Sequence, residues 1–144
     1  MYKRQSQSEV SNVFLLTSSI FERLSIRSGS EKIIAVAQNK THKLEDLILN
    51  ETSIILVIEA PEKPGNIGAI FRTAAAAKMD AVIVANPKTD FYNPNSIRSS
   101  LGSIFLTPTA TGNSLEVISF LKKKSIYIAT AAIHPDAILS LIHI

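Results

Sequence analysis

Between Glu59 and Ala74 the chain reads Glu-Ala-Pro-Glu-Lys-Pro-Gly-Asn-Ile-Gly-Ala-Ile-Phe-Arg-Thr-Ala, its richest stretch of groups able to bind or transfer something. Asn66 offers an amide, Arg72 a planar guanidinium with five donors, and Glu59 and Glu62 two carboxylates. A guanidinium suits a phosphate or a developing oxyanion, because its fork matches two oxygens at once. Gly68 stands one turn before Arg72, with Ala69 and Ala76 as further neighbours on that face. Small neighbours leave the guanidinium room and let a backbone or phosphate come close. Each residue also has a plain structural reading. Asn66 fits a helix N-cap, Arg72 a solvated or ion-paired helix side chain, and Gly65 and Gly68 a turn with close packing. The glutamates suit acid–base work near Arg72, or simply an exposed strand end. Gly65-x-x-Gly68 is neither the dinucleotide fingerprint nor a Walker loop.

Other chemistries are poorly supplied. Cysteine is absent, which removes disulfide scaffolds, thiolate metal sites and thiol nucleophiles together. His42, His134 and His143 are too scattered for a His-ligated metal, and no Ser–His–Asp set can be assembled. Lys122-Lys123-Lys124 falls at the end of a helical pattern, where cations offset the macrodipole, although it also reads as a basic patch. The net charge is only +3 over 144 residues, which permits an RNA partner without arguing for one. With 46% hydrophobic and 19% charged residues the chain can bury a real core. No apolar run approaches a membrane span and no cleavable signal core is visible, so the cytoplasm is the expected location.

The elements that must position these groups follow from spacing. Val13, Leu16, Ile20 and Leu24 predict one buried helical stripe, ended by Ser28-Gly29-Ser30, and Ile33–Ala37 has strand length. Lys40–Asn50 reads as a solvated polar loop. Ile54–Ile58 is an uninterrupted apolar run, as in a parallel strand covered on both faces. After the Pro61–Gly65 turn, Ile67, Ile70, Phe71 and Ala74 recur with helical spacing, which predicts a helix from Ile67 to Lys78. Ala81–Ala85 is a second strand. Asn93-Pro94 opens a short helix through Leu101 that Gly102 stops. Asn113 and Glu116 have capping-box spacing for a helix over Leu115–Leu121. Ser125–Ala131 is the expected third strand. Strands alternating with helices predict an α/β fold with a Rossmann-like parallel sheet. The Glu59–Ala74 stretch then lies beyond a strand's carboxyl end, where such sheets bind ligands.

Two segments resemble a known family in order. Pro64-Gly65-Asn66-Ile67-Gly68-Ala69-Ile70-x-Arg72-Thr73-Ala74 is similar to the first signature of the SpoU/TrmH RNA ribose methyltransferases. Asn93-Pro94-x-x-Ile97-Arg98-x-Ser100-x-Gly102-x-Ile104-Phe105 resembles the segment that follows it. Upstream, Ile20–Ser25 and Ile33–Val36 resemble the join between that family's RNA-recognition and catalytic domains. The resemblance implies a SPOUT-type (α/β knot) sheet and transfer of a methyl group from S-adenosylmethionine to a ribose 2′-hydroxyl of structured rRNA or tRNA. It also implies a homodimer, while the residues themselves give no reason to expect a membrane or metal partner. Asn66 and Arg72 are carried over as catalytic residues, and Arg72, Arg98 and Ser100 as RNA-binding residues.

The family's cofactor loops and C-terminal knot are expected beyond residue 136, and neither sequence is present, so the cofactor-binding residues stay unassigned. Met1–Gln5 and Leu139–Ile144 resemble translated sequencing adaptor. The expected organisation is therefore a truncated fragment: residues 1–50 the end of an RNA-recognition domain and linker, 51–138 the first part of a catalytic domain, and 139–144 an artefactual tail. The competing expectation is a non-catalytic RNA-binding or dimerisation module of the same fold. A small-molecule nucleotide-binding domain is a third.

Overall fold

Ala81-Val82-Ile83-Val84-Ala85 has no polar side chain to offer water, and it forms the central strand with all five residues buried. The structure, a computed structural model, describes residues 13–26 and 33–131. Two compact units divide the chain, Met1–Gln38 and Asn39–Ile144.

In the first unit helix α1 spans Ser18–Leu24, and the Thr17 Oγ1 accepts the Ile20 N–H at 3.4 Å as its N-cap. The expected buried stripe is not there. Val13 and Leu16 precede the helix, and none of its residues is buried. The hydroxyl cap at Thr17 sets the start, and the apolar spacing upstream does not extend it. Ile33–Ala37, expected as a strand, has no ladder partner among the described residues, and Val36 is 94% exposed.

The second unit runs β1 (Ile55–Glu59), α2 (Pro64–Ala76), β2 (Ala81–Ala85), α3 (Pro94–Ser99), β3 (Thr109–Gly112) and α4 (Ser114–Lys123). Short 3-10 turns lie at Leu44–Asp46 and Ser103–Phe105. The strands stand in the order β1-β2-β3, both pairs parallel, with Val57 opposite Ile83 and Val84 opposite Thr111. This is the parallel α/β sheet that the alternating pattern predicts. Period-two alternation along β2 divides the core. Val82 and Val84 pack with Ile67, Phe71, Ala74, Phe91 and Ile104 beneath α2 and α3. Ala81, Ile83 and Ala85 pack with Leu44, Leu47, Ala110, Val117 and Leu121 beneath α4. Among the described residues no helix is long and apolar enough to cross a membrane.

Four expectations need correction. β1 is covered only in part: Leu56 and Ile58 pack against one core cluster and Ile55 against the other, but Val57 stays 38% exposed. Lys40–Asn50 is not a solvated loop, because Leu44 and Leu47, three apart on one 3-10 turn, enter the core. The third strand is Thr109–Gly112, not Ser125–Ala131. The latter segment has no ladder among the described residues, and Ile126 and Ile128 instead rest against the core beside α4. Thr-Ala-Thr-Gly is too short and polar to announce a strand, yet its backbone fills the free edge of β2. Helix α2 begins at Pro64, which takes the first helical position with its fixed φ and missing N–H, and not at Ile67.

Local signals elsewhere match. The Asn93 side chain accepts the Asn95 N–H at 3.0 Å to open α3, with Pro94 at the first position. The Asn113–Glu116 capping box is closed in both directions at 2.9 and 3.0 Å. Lys122 and Lys123 occupy the last turn of α4, where the macrodipole favours cations.

Candidate functional site

Gly68 decides how α2 and α3 meet. A Cβ at this position would overlap the Ser99 Oγ and the Ser96 carbonyl, and would lie 2.7 Å from the Ser100 N. Two of those three atoms belong to backbone, so they cannot swing aside. The helices approach closely because residue 68 has no side chain. Ser96 and Ser100 are fully buried at this contact. The Ser100 Oγ donates to the Ile97 carbonyl at 2.6 Å and accepts the Gly102 N–H at 3.3 Å, which ties the turn after α3. The Ser96 Oγ has no hydrogen-bond partner among the described residues.

That contact leaves an open concavity of about 550 Å³ on the outer side of the two helices. α2 contributes Gly65, Ala69 and Arg72; α3 and the turn after it contribute Asn95, Arg98, Ser99 and Leu101. Both arginines are exposed, and neither forms an ion pair among the described residues. Among the described residues no carboxylate lines the concavity. Two uncompensated guanidinium groups sharing one hollow favour an anion with several oxygens, such as a phosphodiester, over any cation.

The structure therefore brings Arg72 and Arg98 together, a pairing across 26 residues of sequence. It does not bring in the other two expected site residues. Asn66 is exposed in the first turn of α2, its backbone N–H on the Lys63 carbonyl at 3.0 Å, and does not line the concavity. Nor is it the N-cap, which is Lys63. Ser100, expected on the RNA side, has its hydroxyl buried and committed to the turn. Leu101, Asn95 and Ser99 join the hollow without a chemical signal of their own in the sequence. Asn95 and Ser99 are four apart, a spacing that places both on one face of α3, and the Ser99 hydroxyl donates to the Asn95 carbonyl at 2.7 Å. Ala69 neighbours Arg72 as expected, whereas Ala76 lies outside the hollow.

The two glutamates are engaged elsewhere. At the carboxyl end of the sheet Glu59 accepts the Asn86 Nδ2 at 2.9 Å and also the Ser114 hydroxyl. Asn86 donates as well to the Ser114 Oγ at 2.8 Å. These bonds, first from Ser114 and then from Asn86, hold the Glu59 carboxyl below its ordinary range. Glu62 pairs with Lys88 at 2.7 Å across exposed surface. His42 is likewise structural in its contacts: its Nε2 lies 2.9 Å from the Tyr92 hydroxyl, and its ring sits against Phe91. His134 and His143 lie outside the described residues. A second hollow, about 680 Å³, is lined by Lys43, Glu45, Glu116 and Lys123 among others, under the opposite face of the sheet. Its charged side chains are of both signs.

Comparison with known proteins agrees with the two resembling segments. Residues 53–141, more than half the chain, match the model of the SpoU rRNA Methylase family. A 23S rRNA (uridine(2479)-2′-O)-methyltransferase of Streptomyces viridochromogenes is 36% identical over 77 residues, 54% of this chain and 27% of the relative. The 23S rRNA (guanosine(2553)-2′-O)-methyltransferase RlmP of Bacillus subtilis (strain 168) is 28% identical over 124 residues, 86% of this chain and 48% of the relative. Among solved structures, an AdoMet-bound rRNA methyltransferase from Sinorhizobium meliloti superposes with a TM-score of 0.56 at 28% identity, covering 60% of this chain and 33% of that one. The SpoU methyltransferase AviRb from Streptomyces viridochromogenes, in complex with AdoMet, gives 0.54 at 31% identity, with 60% and 34% covered. The chain thus spans about half or less of the length of these relatives. Its parallel sheet, the stretch from Pro64 to Ala74 and the matched region together place it: the chain belongs to the SpoU rRNA methylase family.

Proposed function

We propose that this chain is part of an enzyme that methylates a ribose 2′-hydroxyl of ribosomal RNA. The observation that carries this reading is the pair Arg72 and Arg98, both exposed and without an acidic partner among the described residues, around one hollow in the family-matched region. The named relatives act on 23S rRNA, which favours ribosomal over transfer RNA. S-adenosylmethionine, when bound, supplies an electrophilic methyl group. Its positively charged sulfonium does not suit a hollow lined by two guanidinium groups and no carboxylate, so none of the residues there is assigned to hold it.

What this chain's residues do is bind and orient. Arg72 and Arg98 grip the phosphodiester oxygens flanking the reacting ribose, which brings its hydroxyl to a fixed place. Arg72 further stabilises negative charge as the 2′-oxygen develops it. A guanidinium has donors and no acceptor, so it suits oxyanion stabilisation and not removal of the proton. Asn66, exposed on the first turn of the same helix, contributes an amide to the substrate side. Ser100 acts only by holding the turn after α3. The homodimer and the cytoplasmic location implied by the family resemblance belong to the same proposal.

The test is transfer of labelled methyl groups to deproteinised ribosomal RNA by the protein carrying this chain, followed by 2′-O-methyl nucleoside analysis. Arg72→Ala should remove most transfer, and wild-type turnover by that variant would overturn the reading. RNA binding by the wild type with no transfer at all would instead support the non-catalytic module.

A further inference from the structure

The polar side chains around the hollow are nearly all donors. Arg72 and Arg98 carry donors and no acceptor, while Gly65, Ala69 and Leu101 bring no polar side chain. Ser99 commits its hydroxyl hydrogen within α3, to the Asn95 backbone carbonyl at 2.7 Å and the Ser96 carbonyl at 3.3 Å. Its oxygen is also half-buried at the Gly68 contact. Asn95 is the exception. Its exposed amide offers an acceptor oxygen as well as donors. Among the described residues that amide makes no hydrogen bond, because the bonds of Asn95 are those of its backbone. Asn66, the other amide on this side, does not line the hollow.

The backbone beneath the Asn95 amide is fixed. Pro94 restricts the chain before it, the Asn93 side chain accepts the Asn95 N–H at 3.0 Å, and Ser96 is fully buried against α2. The fold thus presents one uncommitted side-chain acceptor beside two guanidinium groups. A ribose 2′-hydroxyl that attacks a methyl group needs such a neighbour. Its oxygen must turn a lone pair toward the methyl, so its hydrogen must point to an acceptor. The arginines cannot serve, since they only donate and would compete for the same lone pairs.

We propose that Asn95 orients the nucleophile: its Oδ1 accepts the hydrogen bond of the reacting 2′-hydroxyl while Arg72 and Arg98 hold the flanking phosphodiesters. This rests on the RNA methylation reading above and adds to it the group that sets the hydroxyl's rotation. Asn95 takes no proton, because an amide oxygen is too weak a base. Its part is orientation.

The experiment is a binding cycle on the protein carrying this chain, measured by anisotropy without S-adenosylmethionine, so that nothing turns over. One probe is a synthetic rRNA fragment centred on the nucleotide that 2′-O-methyl analysis of the wild-type product locates. The other is identical but carries hydrogen in place of that single 2′-hydroxyl. The wild type should prefer the ribose probe about fivefold, the scale of one hydrogen bond. Asn95→Ala and the similarly shaped Asn95→Leu should bind the two probes alike, at unchanged melting temperature. Comparing variants cancels the effect of the missing hydroxyl on the sugar itself. Under turnover, kcat of Asn95→Ala should fall about tenfold while KM rises less, because a hydroxyl free to rotate reaches the reactive angle less often. A preference kept by both variants, an equal loss on both probes, or an unchanged kcat would each overturn the assignment. Arg72→Ala and Arg98→Ala separate the two levels. If they weaken both probes while Asn95→Ala keeps the preference, only the role of Asn95 fails. If they bind like the wild type, or the wild type methylates no ribose, the RNA-site reading fails and this one with it.

Discussion

Gly68 and Ser99 face one another so closely that a single methyl group on residue 68 would occupy the space of the Ser99 hydroxyl oxygen. α2 and α3 carry the two arginines of the candidate site, so their separation depends on a hydrogen atom standing where every other residue has a carbon. Substituting Gly68 by alanine should cost about 1–3 kcal/mol of overpacking, more than the roughly 1 kcal/mol that alanine's better helix propensity returns. The variant should unfold at lower denaturant and bind RNA less tightly, since spreading the helices moves Arg72 from Arg98. An unchanged midpoint in urea would show that the helices yield freely.

Arg72 should matter to binding more than to folding, because it is exposed and has no ion-pair partner among the described residues. Arg72→Ala should keep its melting temperature within a few degrees of the wild type. Its RNA affinity should fall, with the slope of log affinity against log salt reduced by about 1, as one phosphate contact is lost. Arg72→Lys should keep the salt slope yet bind less tightly, because an ammonium cannot hold two oxygens in a plane. Equal binding by all three proteins would place the phosphate elsewhere.

Glu59 gives a pH dependence whose direction follows from its bonds. Ser114 and Asn86 favour the ionised carboxylate, so its folded-state pKa lies below the ordinary value of 4.5. The stability it contributes is then present above the unfolded value and fades as acid protonates the folded carboxylate. Denaturation midpoints of wild type and Glu59→Gln should differ near neutral pH and converge below pH 4.5. A gap that stays constant through that range would show that the carboxylate's charge contributes nothing.

Leu44 tests the correction to the polar segment before β1. It is 7% exposed and touches the core under α4, so Leu44→Ala should cost roughly 2–3 kcal/mol in chemical denaturation, within the usual range for a buried leucine. A solvated loop would lose a few tenths at most. A loss that small would return the segment to the surface.

The sequence by itself determined those features that a few neighbouring residues can enforce. Five apolar residues in a row made Ala81–Ala85 a buried strand, Asn93-Pro94 opened α3, and Asn113 with Glu116 closed a capping box, because each signal acts within one turn or one strand. The α/β class follows from their alternation, and the family from Pro64–Ala74 and Asn93–Phe105. Only the tertiary structure decided which strand edges are filled. Thr109–Gly112 is a strand because the β2 backbone offers it hydrogen bonds, whereas Ser125–Ala131, with a stronger pattern, finds no edge among the described residues. Only the tertiary structure, too, decided which polar side chains meet. Asn66, Arg72, Arg98 and Ser100 are alike in the one-dimensional motif, yet helix geometry and the contact at Gly68 turn Arg72 and Arg98 into one hollow, leave Asn66 on the surface beside it, and bury Ser100. The physical reason is that helix propensity and capping are local free energies, while the facing of two helices is set by packing between residues about 30 positions apart.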